Sequence, residues 1–225
     1  MSMPFYVAPE QVMKDRADYA RKGIARGRSL VASTYSGGII LAAENPSRML
    51  RKISEIYDRI GFAGVGKYNE FDQMRIAGIR HADLKGYSYS REDVDARSLA
   101  NQYAQILGQI FTNEMKPMEV EILVAEVGLE PAGDQLFHIQ YDGTLVDETG
   151  FTVLGGDSEP IRERLAAAFD ATNDLAAAIR VAIGALAGPD RTLGSDQVDL
   201  AILDRSGPRR TFRRIEDGEL DTLLG

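Results

Sequence analysis

Ser29-Leu30-Val31-Ala32-Ser33-Thr34-Tyr35-Ser36-Gly37-Gly38-Ile39-Ile40-Leu41-Ala42-Ala43 reads as a strand, a two-residue turn and a second strand. Residues 29–35 favour extended backbone, and Ser36-Gly37 fits a tight hairpin. Residues 38–43 are apolar or small without a break, so the returning strand is buried. Asn45-Pro46 then ends it.

Ahead of this hairpin, Ala8-Pro9-Glu10 starts a helix, with proline in the first turn and an acid near the positive end of the dipole. Val12, Met13, Ala17, Ala20 and Ile24 form one apolar face through to Gly27, while Lys14, Asp15, Arg16, Asp18, Arg21 and Lys22 form a charged one. The pattern predicts an amphipathic helix laid on a larger body. After the hairpin, residues 53–57 and 60–64 are short apolar runs that predict two more strands. A helix follows over about 68–82 with Phe71, Met74 and Gly78 inward. A second carries Leu99, Tyr103, Ile106, Leu107, Ile110 and Phe111 at helical spacing.

The pattern then repeats. Strands are predicted near 120–129, 136–141, 144–146 and 151–154, with Asp142-Gly143 as a turn. A helix runs from Ser158-Glu159-Pro160 to Phe169. Another is capped by Asn173 or Asp174, carries Leu175, Ile179, Ala182, Ile183 and Leu186 on one face, and is stopped by Gly188-Pro189. Strands at 198–203 and 211–215 and a short helix at 219–224 follow. Strands alternating with helix pairs, without a recurring single crossover helix, predict an α+β layered fold. Two antiparallel sheets face to face, each with a helix pair outside, would bury every apolar face named here. Nothing linker-like divides residues 1–225, which read as one domain.

Composition narrows the chemistry. Among 225 residues, 44% are hydrophobic and 27% charged, which suits a globular chain with a sizeable core. Cysteine is absent and only His81 and His138 are histidines, so a thiol nucleophile is excluded and a multi-histidine metal site would have to use both. The net charge of −8 argues against non-specific nucleic-acid binding. No apolar run is long enough for a membrane span and no signal peptide is evident, so a cytoplasmic location is expected. No cofactor is implied. Gly61-Phe62-Ala63-Gly64-Val65-Gly66-Lys67-Tyr68 nearly matches a phosphate loop, but tyrosine stands where the hydroxyl that holds magnesium belongs. With 198–203 and Asp204 as a Walker-B-like strand, it leaves a nucleotide hydrolase as an alternative. Arg209, Arg210, Arg213 and Arg214 read as a solvated strand edge.

Several stretches carry a likeness across the chain. They include Ser2-Met3-Pro4-Phe5-Tyr6, Pro9-Glu10-Gln11, Ala20-Arg21-Lys22-Gly23-Ile24-Ala25-Arg26, and Ala43-Glu44-Asn45-Pro46-Ser47. Further on come Lys52-Ile53-Ser54-Glu55-Ile56-Tyr57-Asp58-Arg59, Gly66-Lys67-Tyr68-Asn69-Glu70-Phe71, Tyr141-Asp142-Gly143 and Pro208-Arg209-Arg210. In order and spacing the chain resembles the alpha-type proteasome subunits of actinobacteria. The resemblance implies the four-layer αββα sandwich of the N-terminal nucleophile hydrolases. It implies no catalytic residue in this chain, a heptameric outer ring of self-copies, and proteasome beta subunits stacked in alpha-beta-beta-alpha order. It further implies an AAA+ ring ATPase that docks by its C-terminal tails to deliver tagged proteins. Lys52, Gly66, Lys67 and Pro9 match the tail-binding pocket between neighbours. Met3, Pro4, Phe5, Tyr6, Val7 and Ala8 match the gate, and Asp18 and Tyr19 the helix that moves with it. The Tyr-Asp-Arg cluster of archaeal and eukaryotic alpha subunits is missing, so its role does not transfer.

The alternative within the family is an active N-terminal nucleophile hydrolase, whose threonine hydroxyl attacks while its own amine acts as base. Here the corresponding strand begins near Arg28-Ser29 behind 27 residues, and the sole Gly-Thr, Gly143-Thr144, falls in a predicted turn. Glu44 lies near where the beta subunit's acid would stand, and without a nucleophile it reads as structural.

Overall fold

The computed structural model describes residues 8–47 and 49–224. Met3, Pro4, Phe5, Tyr6 and Val7 lie outside the described residues. The chain opens with α1 (Pro9–Ile24), then β1 (Leu30–Tyr35) and β2 (Gly38–Glu44), joined by the Ser36-Gly37 hairpin. β3 (Ile53–Tyr57) and β4 (Ile60–Gly66) lead into α2 (Tyr68–Ser88) and α3 (Ala96–Asn113). β5 (Val120–Glu126), β6 (Gln135–Ile139), β7 (Leu145–Glu148) and β8 (Phe151–Leu154) precede α4 (Ser158–Ala168) and α5 (Leu175–Ala187). β9 (Val198–Asp204), β10 (Phe212–Arg214) and α6 (Asp217–Leu224) follow.

The strands form two five-stranded antiparallel sheets, ordered β10-β9-β2-β1-β8 and β3-β4-β5-β6-β7. Side chains of a strand alternate between faces. In β2, Ile39, Leu41 and Ala43 therefore meet Ala63, Val65, Leu123 and Ala125 of the other sheet. Ile40 and Ala42 point the other way, into a cluster with Ile179, Ala182, Ile183 and Leu186 of α5. The second sheet repeats the scheme: Phe62, Ile122, Val124 and Phe137 pack on Phe71, Met74, Leu99, Tyr103 and Leu107 of α2 and α3. The result is the αββα sandwich. Antiparallel strands covered on both faces lose their polar alternation, which is why β2 is buried along its whole length. Fully burying each Leu or Ile contributes about 1.5–3 kcal/mol.

Local chemistry sets the joints. Asp174 caps α5 through its carboxylate to the amide of Ala177 at 2.8 Å. Asp95 caps α3 through the amide of Ser98 at 2.7 Å. Gly188, with φ 73°, stops α5 in a conformation that costs a side-chain-bearing residue energy. The helix predicted over 68–82 runs on to Ser88, because no proline interrupts residues 68–88 and the Tyr89 amide still closes on the Lys85 carbonyl at 3.0 Å. The largest difference concerns α1. Ala20 and Ile24 are buried, whereas Val12 and Met13 stay exposed, because within one chain only the C-terminal half of the helix rests on the sheets.

Gly78 lets α2 and α3 approach: a Cβ there would overlap the buried Tyr103 hydroxyl. Gly78→Ala should cost about 2 kcal/mol by overpacking. Tyr103→Phe in the same chain should recover part of that loss, and a double-mutant cycle in urea reads the coupling.

Candidate functional site

Residues 45–52 carry the chain from one sheet to the other, and Lys52 stands where it arrives. Asn45 shapes the crossing: its amide group donates to the Leu50 carbonyl at 2.7 Å, and its carbonyl accepts from the Ser47 amide at 3.1 Å. The arrival point is clamped by Asp199 of β9, which is 2% exposed. Its Oδ2 accepts from the amides of Lys52 at 3.0 Å and Ile53 at 3.3 Å. Its Oδ1 pairs closely with Arg214 of β10, whose other nitrogen donates to the Ile53 carbonyl at 2.6 Å. A charged pair thus holds both faces of one peptide segment. Arg214 is consequently a structural ion-pair partner, which corrects its reading as a solvated edge residue. Arg209 pairs with Asp58, Arg210 with Glu55 and Arg213 with Glu219.

Held this way, the Lys52 side chain reaches the start of β1 and the end of β2. Nζ donates to the carbonyls of Arg28 at 2.7 Å and Glu44 at 3.1 Å. An ammonium has three donors, so one remains for a further acceptor. Burial pushes its pKa down from 10.5 to about 8, with Glu44 and Asp199 opposing the shift and Arg28 adding to it. The Glu44 carboxylate is taken up by two guanidiniums, Arg28 at 2.5 Å and Arg191 at 3.1 and 3.2 Å. Arg28, Glu44 and Arg191 line a cleft of about 510 Å³ between the start of β1 and helices α4 and α5.

Gly66 and Lys67 come to the same end of α1. The Gly64 amide donates to the Lys52 carbonyl at 3.1 Å, which fixes the end of β4 beside the crossing. Gly66, with φ 100°, lies against Gly27: a Cβ on Gly27 would stand 3.0 Å from the Gly66 nitrogen. Any side chain on Gly66 would strike the Glu119 carbonyl. Lys67 donates its amide to that carbonyl at 2.9 Å, while its ammonium sits 3.3 Å from Glu70. Glu70 also binds Lys116 at 2.7 Å and the Glu119 amide at 2.7 Å. Lys116 lies over Tyr19 of α1 with Nζ 5.5 Å from the ring centroid. Asp18 makes a surface pair with Arg21 at 3.8 Å. Pro9 stands at the opposite end of α1, whose 16 residues span about 24 Å. Ala8 precedes it in extended backbone, φ −60° and ψ 139°. One chain therefore gathers Lys52, Gly66 and Lys67 and leaves Pro9 a helix length away.

The sequence reading missed Asp199, Arg191 and Arg214 as parts of this site. A carboxylate inside the apolar stretch Val198-Asp199-Leu200-Ala201-Ile202 was the available signal, since an acid is rarely buried unpaired. The phosphate-loop likeness dissolves. Residues 61–66 are extended strand β4, paired with β5 along their length and with β3 as far as Ala63, and not a loop wrapped to cradle phosphate. Asp204 accepts from the amide and hydroxyl of Ser206, shaping a turn. His138 is buried, with Nε2 3.4 Å from Glu121 and Nδ1 3.9 Å from Glu148, although no group among the described residues could hold a metal ion. Gly143-Thr144 lies in the turn before β7, where the Thr144 amide donates to Asp142.

Asp199→Asn should cost about 3 kcal/mol, because it leaves the Arg214 charge without its buried partner. Urea unfolding measures this, and a loss under 1 kcal/mol would contradict the clamp.

Among the described residues no helix is long and apolar enough to cross a membrane. The family profile for proteasome subunits matches residues 24–203. The chain is 63% identical over 225 residues to the proteasome subunit alpha of Acidimicrobium ferrooxidans, covering 100% of this chain and 97% of that one. It is 56% identical to the proteasome subunit alpha of Sanguibacter keddieii, covering 100% and 90%, and 53% identical to that of Kineococcus radiotolerans, covering 100% and 98%. With the two-sheet sandwich, a match over most of the residues and likeness along the full length, the chain belongs to the proteasome subunit family, and it is with actinobacterial alpha-type members that it aligns.

Proposed function

We propose that this chain is a non-catalytic alpha subunit that forms the heptameric outer ring of a proteasome core particle. One observation carries the reading. Where an active relative needs a free amine and hydroxyl at the head of the first strand, this chain has Arg28-Ser29, continuous with helix α1. The Arg28 carbonyl accepts a hydrogen bond from Lys52, and its guanidinium binds Glu44. Without an amine to act as base there is no N-terminal nucleophile. Threonines on the beta ring of the alpha-beta-beta-alpha stack then cut the peptide bonds, in the cytoplasm.

In this reading residues 1–8 converge on the ring axis. Met3, Pro4, Phe5, Tyr6, Val7 and Ala8 plug the pore by mutual packing. An AAA+ ring ATPase inserts its C-terminal tails between neighbouring subunits. The remaining Lys52 donor takes the tail carboxylate as a charge-assisted hydrogen bond. Gly66 lets the tail backbone approach, and with Lys67 it forms the floor of the pocket. Several weak tails acting together hold through effective concentration. Their insertion shifts Pro9 and the Asp18–Tyr19 part of α1, and the plug withdraws. The exposed Val12 and Met13 suit a helix whose outer half is covered by a neighbouring subunit.

Deleting residues 1–8 should raise small-peptide hydrolysis by the assembled particle severalfold; unchanged rates would refute the plug. Lys52→Ala should spare assembly and basal cleavage while abolishing ATPase-driven degradation, and surviving stimulation would remove Lys52 from the pocket. Tail docking should weaken as pH rises through about 8, where the Lys52 ammonium loses its proton. Folding stability should move the opposite way. The unfolded chain keeps that proton up to pH 10.5, so stability rises between about 8 and 10.5.

A further inference from the structure

The cleft beside Lys52 holds more positive charge than its internal pairs use. Arg26, Arg28, Arg164 and Arg191 all line it, in a chain whose net charge is −8. Arg28 and Arg191 share the Glu44 carboxylate. Arg164 donates only to the Ala185 carbonyl, at 2.9 and 2.8 Å, and so spends two donors on a neutral group. Arg26 is exposed, and its guanidinium bonds to no described residue. Two guanidiniums therefore line the cleft without an ion pair to any carboxylate. A planar guanidinium offers paired donors that match a carboxylate in a fork.

The cleft shares two residues with the Lys52 site. Arg28 contributes its carbonyl to the lysine and its side chain to the cleft wall, and Glu44 does the same. A peptide whose terminal carboxylate reached Lys52 would have its preceding residues leave past these two walls, advancing about 3.3 Å per extended residue. Asp157 and Asp190 also line the cleft, so acids at every position of such a peptide would meet repulsion.

We propose that this cleft selects, in the docking C-terminal tail, an acidic side chain a few residues upstream of the terminal carboxylate, held by Arg164 and Arg26. The inference rests on the Lys52 reading for the tail's anchorage and adds the tail's chemical class: an acid at one register and not a uniformly acidic run. Arg164 is the inner anchor, steadied by α5 through Ala185. Arg26, at the end of α1, is the outer one. Because Arg26 lies one residue past the Ala25 cap of that helix, occupancy also ties α1 to the α4–α5 layer.

Fluorescence anisotropy on the assembled particle tests this with eight-residue peptides ending in a free carboxylate and carrying one Glu or one Gln at successive upstream positions. At one register Glu should bind about tenfold more tightly than Gln, and the advantage should shrink as salt is raised. Arg164→Gln should bring the ratio toward one. Arg26→Glu, at an exposed position whose side chain supports nothing in the fold, should do the same and answers the question if the Arg164 variant misfolds. Ratios within twofold at every position would overturn the proposal, as would a ratio that survives in both variants. Amidated peptides separate the two readings. If amidation leaves affinity unchanged while the Glu advantage persists, Lys52 anchorage fails and the cleft stands. If amidation abolishes binding and Glu gives no advantage, the cleft fails and Lys52 stands.

Discussion

The buried pair of Asp199 and Arg214 sits where the chain passes from one sheet to the other, and much of the molecule depends on that crossing being fixed. A carboxylate almost wholly removed from water is costly unless every lone pair is used. Asp199 uses them on two backbone amides and a guanidinium. The amides belong to Lys52 and Ile53, so the charge also sets the register at which β3 begins. From there the hairpin to β4 and its pairing with β5 follow. The pair joins β9 and β10 of one sheet to β3 of the other and keeps the two sheets from sliding at this end.

The same clamp explains how a lysine comes to be held against backbone carbonyls. Lys52 is short of water and is compensated by dipoles, with Glu44 and Asp199 nearby and Arg28 against it. Its depressed pKa is a consequence of that arrangement. The ammonium loses hydration, retains one unused donor, and gains most from an anion that can enter. Glu44 keeps Arg28 and Arg191 in place, so one residue shapes the lysine site with its carbonyl and the neighbouring cleft with its carboxylate.

At the other side of the site, glycines do the work of close approach. Gly27 and Gly66 let the end of α1 touch the end of β4, and Gly66 occupies a backbone conformation that a side chain would strain. The Glu70–Lys116–Glu119 group then links this point to Tyr19 on the helix. Surface ion pairs of this kind contribute little stability individually. Their effect is geometric: they fix where α1 leaves the body of the sandwich.

Much of this was legible in the residues. The Ser36-Gly37 hairpin, the unbroken apolar run of β2, a cap at Asn173 or Asp174 and the Gly188 stop all follow from local rules, because turn geometry and burial on two faces act on neighbouring residues. The paired helices between strand groups were enough to give the layers. Lys52 was named, but through likeness to a family; by itself Arg51-Lys52 reads as solvated charge. What local patterns could not supply were contacts across 147 residues, such as Lys52 with Asp199 and Glu44 with Arg191. The exposed start of α1 escaped them too, since an apolar face does not say whether its own chain or another covers it. Sequence by itself determined the elements and their order, through periodicity, turns and caps. Only the tertiary structure decided which charges are paired and which remain open to a ligand, because that depends on desolvation and distances between residues far apart in the chain.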